Sequence, residues 1–194
     1  LILSLDYGLP GVPTALGDLD TAGRVNIGDL SPAQLLDAQN EHGHQSISIM
    51  SSPSNNYLVT GINWSSPLRV ESPYPDGNLQ DAIKKGLAAA SAGQRIVFQG
   101  GVQGESWLTS GGSQAQLEKL LTDNKNNAIF AIAAGIAGID FGDIVTNPSE
   151  SAGVARLASS HDNIIAVGAL EHTSSVIAGL DNASRVNRAW DSNF

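Results

Sequence analysis

The chain has 194 residues, 41% of them hydrophobic, which suffices for one domain with a substantial core. Its formal charge of −9 and scattered basic residues, with Lys84-Lys85 as the longest basic run, exclude a phosphate-binding surface and so nucleic acid as a partner. It contains no cysteine, which excludes disulfides, thiol catalysis and cysteine-based metal sites, and no apolar stretch approaches the length of a membrane span.

The first element is the run "LILSL", an aliphatic strand of the kind found inside a parallel sheet, ending on Asp6-Tyr7-Gly8. An acid at a strand's carboxyl end either begins a turn or is a placed functional group, because open parallel sheets put their chemistry outside those ends. The segment Asp18 to Asp29, "DLDTAGRVNIGD", carries oxygen donors at Asp18, Asp20, Asn26 and Asp29 around a glycine at Gly23. That spacing is similar to a dockerin or EF-hand calcium loop, but Ala22 removes one ligand and Asp29 is shorter than the usual bidentate Glu. The alternative is an acidic turn before a helix.

Ser31, Pro32 and Gln34 form a capping box with proline at the first helical position, predicting a helix through Leu35 and Leu36. His42-Gly43-His44 follows, just ahead of small and apolar residues that predict a buried helix. Such a histidine either faces solvent or is held against a carboxylate, with glycine allowing close backbone approach. The run "PLRVES" predicts a strand. Asn78 caps a helix whose apolar stripe, Leu79, Ala82, Ile83, Gly86, Leu87 and Ala90, stops before Gly93. "RIVFQ" is the next strand, and Ser113 with Gln116 starts another helix through Leu117, Leu120 and Leu121. "NAIFAIAA" is a strand running into a tight turn at Ile136-Ala137-Gly138, and "NIIAVGAL" is the last apolar run. His161 and His172 have no partner spacing and are expected at the surface. "GGVQG" and "GIAG" lack the strand, glycine spacing and helix of a dinucleotide-binding fingerprint.

Strands alternating with helices predict an α/β fold: a doubly wound, mostly parallel sheet with helices on both faces. Right-handed crossovers then gather the functional strand ends on one edge.

These segments, in this order, resemble the subtilisin-like serine peptidases. Asp6-Tyr7-Gly8 is similar to the family's strand ending in an acid and a glycine, and His42-Gly43 to its catalytic His-Gly at a buried helix. "NNYLVTGINWSSPLRV" resembles the Asn-rich loop and Gly-Val-Ala-Pro stretch, with Asn55-Asn56 a second calcium candidate by that likeness. "AGQRIVFQGG" resembles the substrate-lining strand, "AIAAGIAG" the oxyanion turn, and "WDSNF" the stretch beyond the next core strand.

The resemblance implies that Asp6 orients His42 and that His42 is the general base, in the chain order Asp, His, Ser. It implies a polypeptide substrate lined by Gln99, Gly100, Gly101, Ala133, Ala134 and Gly135, and an extracellular or cell-envelope location. No cofactor is required, calcium being the one candidate.

Three departures qualify this. Ile136 stands at the place of the oxyanion asparagine, and its side chain donates no hydrogen bond. Gln99 replaces a small serine. No Gly-Thr-Ser-Met-Ala-type segment occurs, and Ser110 and Ser113 lie on the wrong side of the oxyanion turn. Residues 1–194 are therefore expected to be a single, C-terminally incomplete subtilisin-like domain without its nucleophilic serine, inactive alone. A removed segment or second chain is expected to complete the fold, and a pseudo-peptidase acting as a binding or structural module is the competing expectation.

Overall fold

A computed structural model describes residues 1–5, 25–26, 40–52, 60–63, 65–73, 78–100, 114–134, 153–168, 170–172 and 186–188. For residues 40–42, 153, 156, 170–172 and 186–188 it describes the backbone alone. The elements run β1 (Ile2–Ser4), β2 (Val25–Asn26), α1 (Asn40–Ser51), β3 (Leu68–Val70), α2 (Leu79–Ala89) and β4 (Ile96–Gly100). They continue with α3 (Gln114–Asp123), β5 (Ala128–Ala133), a 3₁₀ helix (Gly153–Ser159), β6 (Ile164–Val167), β7 (Leu170–His172) and β8 (Val186–Arg188).

Six strands form one sheet in the order β2-β3-β1-β4-β5-β6, and every pairing is parallel. The expected α/β architecture is therefore observed. The sequence neighbours β1 and β2 are not paired, because β3 lies between them, and the chain then crosses β1 to add β4, β5 and β6 outward.

One face of the sheet carries the main core. Leu3, Phe98, Phe130, Ile132 and Ile164 are buried there against Leu79, Ala82 and Ile83 of α2, Leu117 and Leu121 of α3, and Val154 and Leu157 of the 3₁₀ helix. Phe98 and Phe130 are register partners whose rings stack at 4.6 Å and 7°. The cap read from the sequence is present: Asn78 Oδ1 accepts from the backbone N–H of Gln80 at 3.0 Å and of Asp81 at 3.2 Å. Helix α2 then packs close to the sheet at Gly86, where a Cβ would stand 2.9 Å from the Phe98 ring. Beyond the helix, Gly93 turns the chain with φ of 78°.

The opposite face is covered differently. Helix α1 buries Ile47 against Ile2, Leu68 and Val70 of β1 and β3, with Val25 of β2 packed against the same cluster. Its carboxyl end is closed by a returning segment: the N–H groups of Gly61, Ile62 and Asn63 donate to the carbonyls of Ser52, Ile49 and Met50 at 2.9, 3.0 and 2.8 Å.

Several expectations differ in detail. The helix at His42 starts earlier, at Asn40, so His42 lies in its first turn rather than ahead of it. That helix is buried on one side, with Gln45 and Ile49 exposed. The run "NIIAVGAL" is two strands, β6 and β7, split at Gly168, and β7 pairs antiparallel with β8 as a separate two-stranded ribbon. Among the described residues, no helix is long and apolar enough to cross a membrane.

Candidate active-site edge

In a parallel sheet all carboxyl ends share one edge. Here that edge is set by register: Ser4 of β1 is paired with Gln99 of β4, Gln99 with Ala131 of β5, and Ala133 with Val167 of β6. Two further bonds extend it. The N–H of Leu5 donates to the Gln99 carbonyl at 2.6 Å, and that of Ala134 to the Val167 carbonyl at 2.9 Å. The chain therefore leaves β1 toward Asp6 directly beside the Gln99-Gly100 end of β4. Asp6 itself lies outside the described residues, as do Gly101, Gly135 and Ile136.

Of the other expected substrate-lining residues, Gln99 is half-buried, Gly100 is buried at the end of β4, Ala133 is half-buried and Ala134 is buried. All four stand on the carboxyl ends of β4 and β5, two adjacent strands. His42 is described only as backbone in the first turn of α1. The direction of α1 follows from its neighbours. Its last turn is bonded to residues 61–63, which lead within a few residues to the amino end of β3 at Leu68. Its first turn therefore points the other way, toward the carboxyl edge, as a crossover between the parallel strands β2 and β3 requires.

Polar residues that the sequence reading missed lie behind this edge. Ser4 is fully buried, with Oγ 3.5 Å from Gln99 Oε1. Glu71, just past β3, is buried and donates its N–H to the Ser4 carbonyl at 3.0 Å. Its carboxylate accepts from Arg69 Nε at 2.6 Å. A basic and an acidic residue two apart on an extended segment share one side, and the "RVES" spacing was the available signal.

Of the proposed calcium ligands, Asp18, Asp20 and Asp29 lie outside the described residues, as do Asn55 and Asn56. Asn26 belongs to β2 and is exposed, in register with Arg69 of β3. Among the described residues no group of three histidine or acidic side chains is placed to hold a metal.

No model of a known protein family matches the chain, and no curated protein sequence does. Solved structures do. A structure of subtilase cytotoxin SubAB assembly matches 91% of this chain with a TM-score of 0.56 at 16% identity. The epidermin leader peptide processing serine protease EpiP of Staphylococcus aureus matches 100% of it with a TM-score of 0.59, also at 16% identity. The fold is subtilisin-like. At such identity the likeness is one of fold, and the chain spans 57% and 49% of the lengths of those two chains.

Proposed function

We propose that residues 1–194 are the Asp- and His-bearing part of a subtilisin-like serine endopeptidase domain, located outside the cell or in its envelope. The observation that carries this reading is the coincidence of motif order with topology. The strand leading to Asp6 ends beside Gln99-Gly100, and the helix containing His42 begins toward the same edge of a subtilisin-like sheet.

In this reading Asp6 holds the His42 imidazole in one tautomer and stabilises the imidazolium. His42 takes the proton from a serine hydroxyl as its oxygen attacks the peptide carbonyl. It then gives that proton to the leaving amine, and water releases the acyl group by the same exchange in reverse order. The serine is supplied by polypeptide outside residues 1–194. An extended substrate lies along Gln99, Gly100 and Gly101 on one side and Ala133, Ala134 and Gly135 on the other.

Ile136 favours a second reading, a pseudo-peptidase that binds peptide without cleaving it. An isoleucine at the oxyanion position offers hydrocarbon where negative charge develops, and desolvates the site without a compensating donor. Loss of such a donor costs about 100- to 1,000-fold in rate, a range known from the subtilisin family itself.

The test is hydrolysis of a fluorogenic peptide by the full-length gene product. Slow turnover is expected, with Ile136→Asn recovering a large part of that factor and His42→Ala removing the gain. Brisk turnover with Ile136 in place would defeat the pseudo-peptidase reading. Turnover indifferent to His42→Ala would defeat the peptidase mechanism.

A further inference from the structure

On the α1 face of the sheet, register lines up one row of side chains near the carboxyl end: Val70, Ser4, Gln99, Ala131 and Ile165, one from each of β3, β1, β4, β5 and β6. None is charged. Arg69 and Glu71, which alternate with Leu68 and Val70 along the chain, fall on the other face. Gln99 is the long polar side chain of the row, and the hydroxyl of the fully buried Ser4 points to its Oε1 at 3.5 Å. That contact turns the carboxamide oxygen toward β1 and leaves the amide nitrogen as the free end, with no hydrogen-bond partner among the described residues. Because Gln99 is half-buried, water serves this donor only in part.

The neighbouring residues on β5 leave room beside that donor. Ala131 is the register partner of Gln99, and Ala133 stands two residues on toward the carboxyl end; both are small and half-buried. A charged peptide side chain entering here would be desolvated with no counter-ion in the row. An apolar one would cover the Gln99 amide and leave it unpaired. A side-chain carboxamide does neither: its oxygen accepts from Gln99 Nε2 while its stem lies against the two alanines. We infer that Gln99 is a specificity-determining residue that selects glutamine or asparagine at one position of a bound peptide, with Ser4 as its positioning residue.

The inference rests on the proposal that peptide binds along this edge, which the peptidase and pseudo-peptidase readings share. A site that hydrogen-bonds a ligand group rejects the analogue lacking it, because the site's own donor is then left unpaired. For one uncharged hydrogen bond the expected preference is about 2- to 10-fold for Gln over Met and for Asn over Leu, pairs of similar size. Acidic side chains are disfavoured further by the chain's formal charge of −9.

The test is binding of a positional-scanning octapeptide library to the full-length gene product, carrying His42→Ala so that bound peptide is not cleaved. Enrichment of Gln and Asn at a single peptide position is expected. Gln99→Leu is expected to abolish that enrichment and Ser4→Ala to reduce it. Gln99→Glu keeps the shape but presents a carboxylate, and is expected to replace the preference with one for Lys or Arg. Binding lowered alike at every position, with no exchange of preference, would make Gln99 merely structural and overturn the inference. Peptides bound with no carboxamide preference, or with one that survives both Gln99→Leu and Gln99→Glu, would also overturn it while leaving the proposed function standing. No peptide bound at all would overturn the proposed function, and the inference with it.

Discussion

Val97 and Ile129 are register partners across β4 and β5, and both point away from the core that holds their neighbours Phe98 and Phe130. Adjacent residues on one strand therefore have opposite environments. Phe98→Ala or Phe130→Ala, which also breaks the ring stack, is expected to cost about 3–5 kcal/mol in denaturant unfolding. Ile129→Thr in residues 1–194 is expected to stay within about 0.5 kcal/mol of the parent. Equal losses at the two kinds of position would mean that the second face is packed.

Gly61 closes the end of α1. A Cβ there would stand 2.5 Å from the Ser52 nitrogen and 2.7 Å from the Met50 carbonyl carbon, both backbone atoms that move only with the helix end. Gly61→Ala is expected to lower stability by about 1–3 kcal/mol, as overpacking does. Hydrogen exchange should speed up at Ile62 and Asn63, whose N–H groups bond the last turn. Unchanged exchange at those amides would contradict the closure described.

The Arg69–Glu71 pair is largely buried, with side chains 16% and 3% exposed. Arg69→Met would leave the Glu71 carboxylate without its cation, at an expected cost of about 3–5 kcal/mol. Replacing both residues by apolar ones should recover most of that loss, because the desolvation penalty disappears with the charges. A double variant no more stable than Arg69→Met would show that Glu71 is held mainly by its other partners.

How far the chain was legible from its residues follows from what kind of signal each feature leaves. Local chemistry was readable: Asn78 announces its helix, and the apolar runs "RIVFQ" and "NAIFAIAA" mark strands. Non-local features were not. A short apolar run such as "RIVFQ" looks the same whether one face or both are covered, so the exposure of Val97 leaves no trace in it. The break at Gly168 and the β7–β8 ribbon depend on a partner strand at residues 186–188. At the candidate site, a strand end followed by an acid and a histidine near a helix start were visible as patterns. The packing of Ser4 beneath Gln99 was not, since a lone serine in an apolar run carries no sign of the strand it will meet.

The Asp18 to Asp29 segment has two readings that one melting experiment separates. Calcium held by Asp18, Asp20, Asn26 and Asp29 would stabilise the native state alone, so excess chelator is expected to lower Tm. A Tm unchanged by chelator assigns the segment to an acidic turn.

The proposed function requires that Asp6 meet His42, and the titration of the His42 imidazole measures this most directly. The chain has four histidines, so NMR with His42→Gln as the assignment control identifies the resonance. A carboxylate beside an imidazole favours its charged form, so Asp6→Asn in the full-length protein is expected to move the His42 midpoint to lower pH. A His42 midpoint unaffected by Asp6→Asn would show that the two side chains do not meet, and would contradict the account.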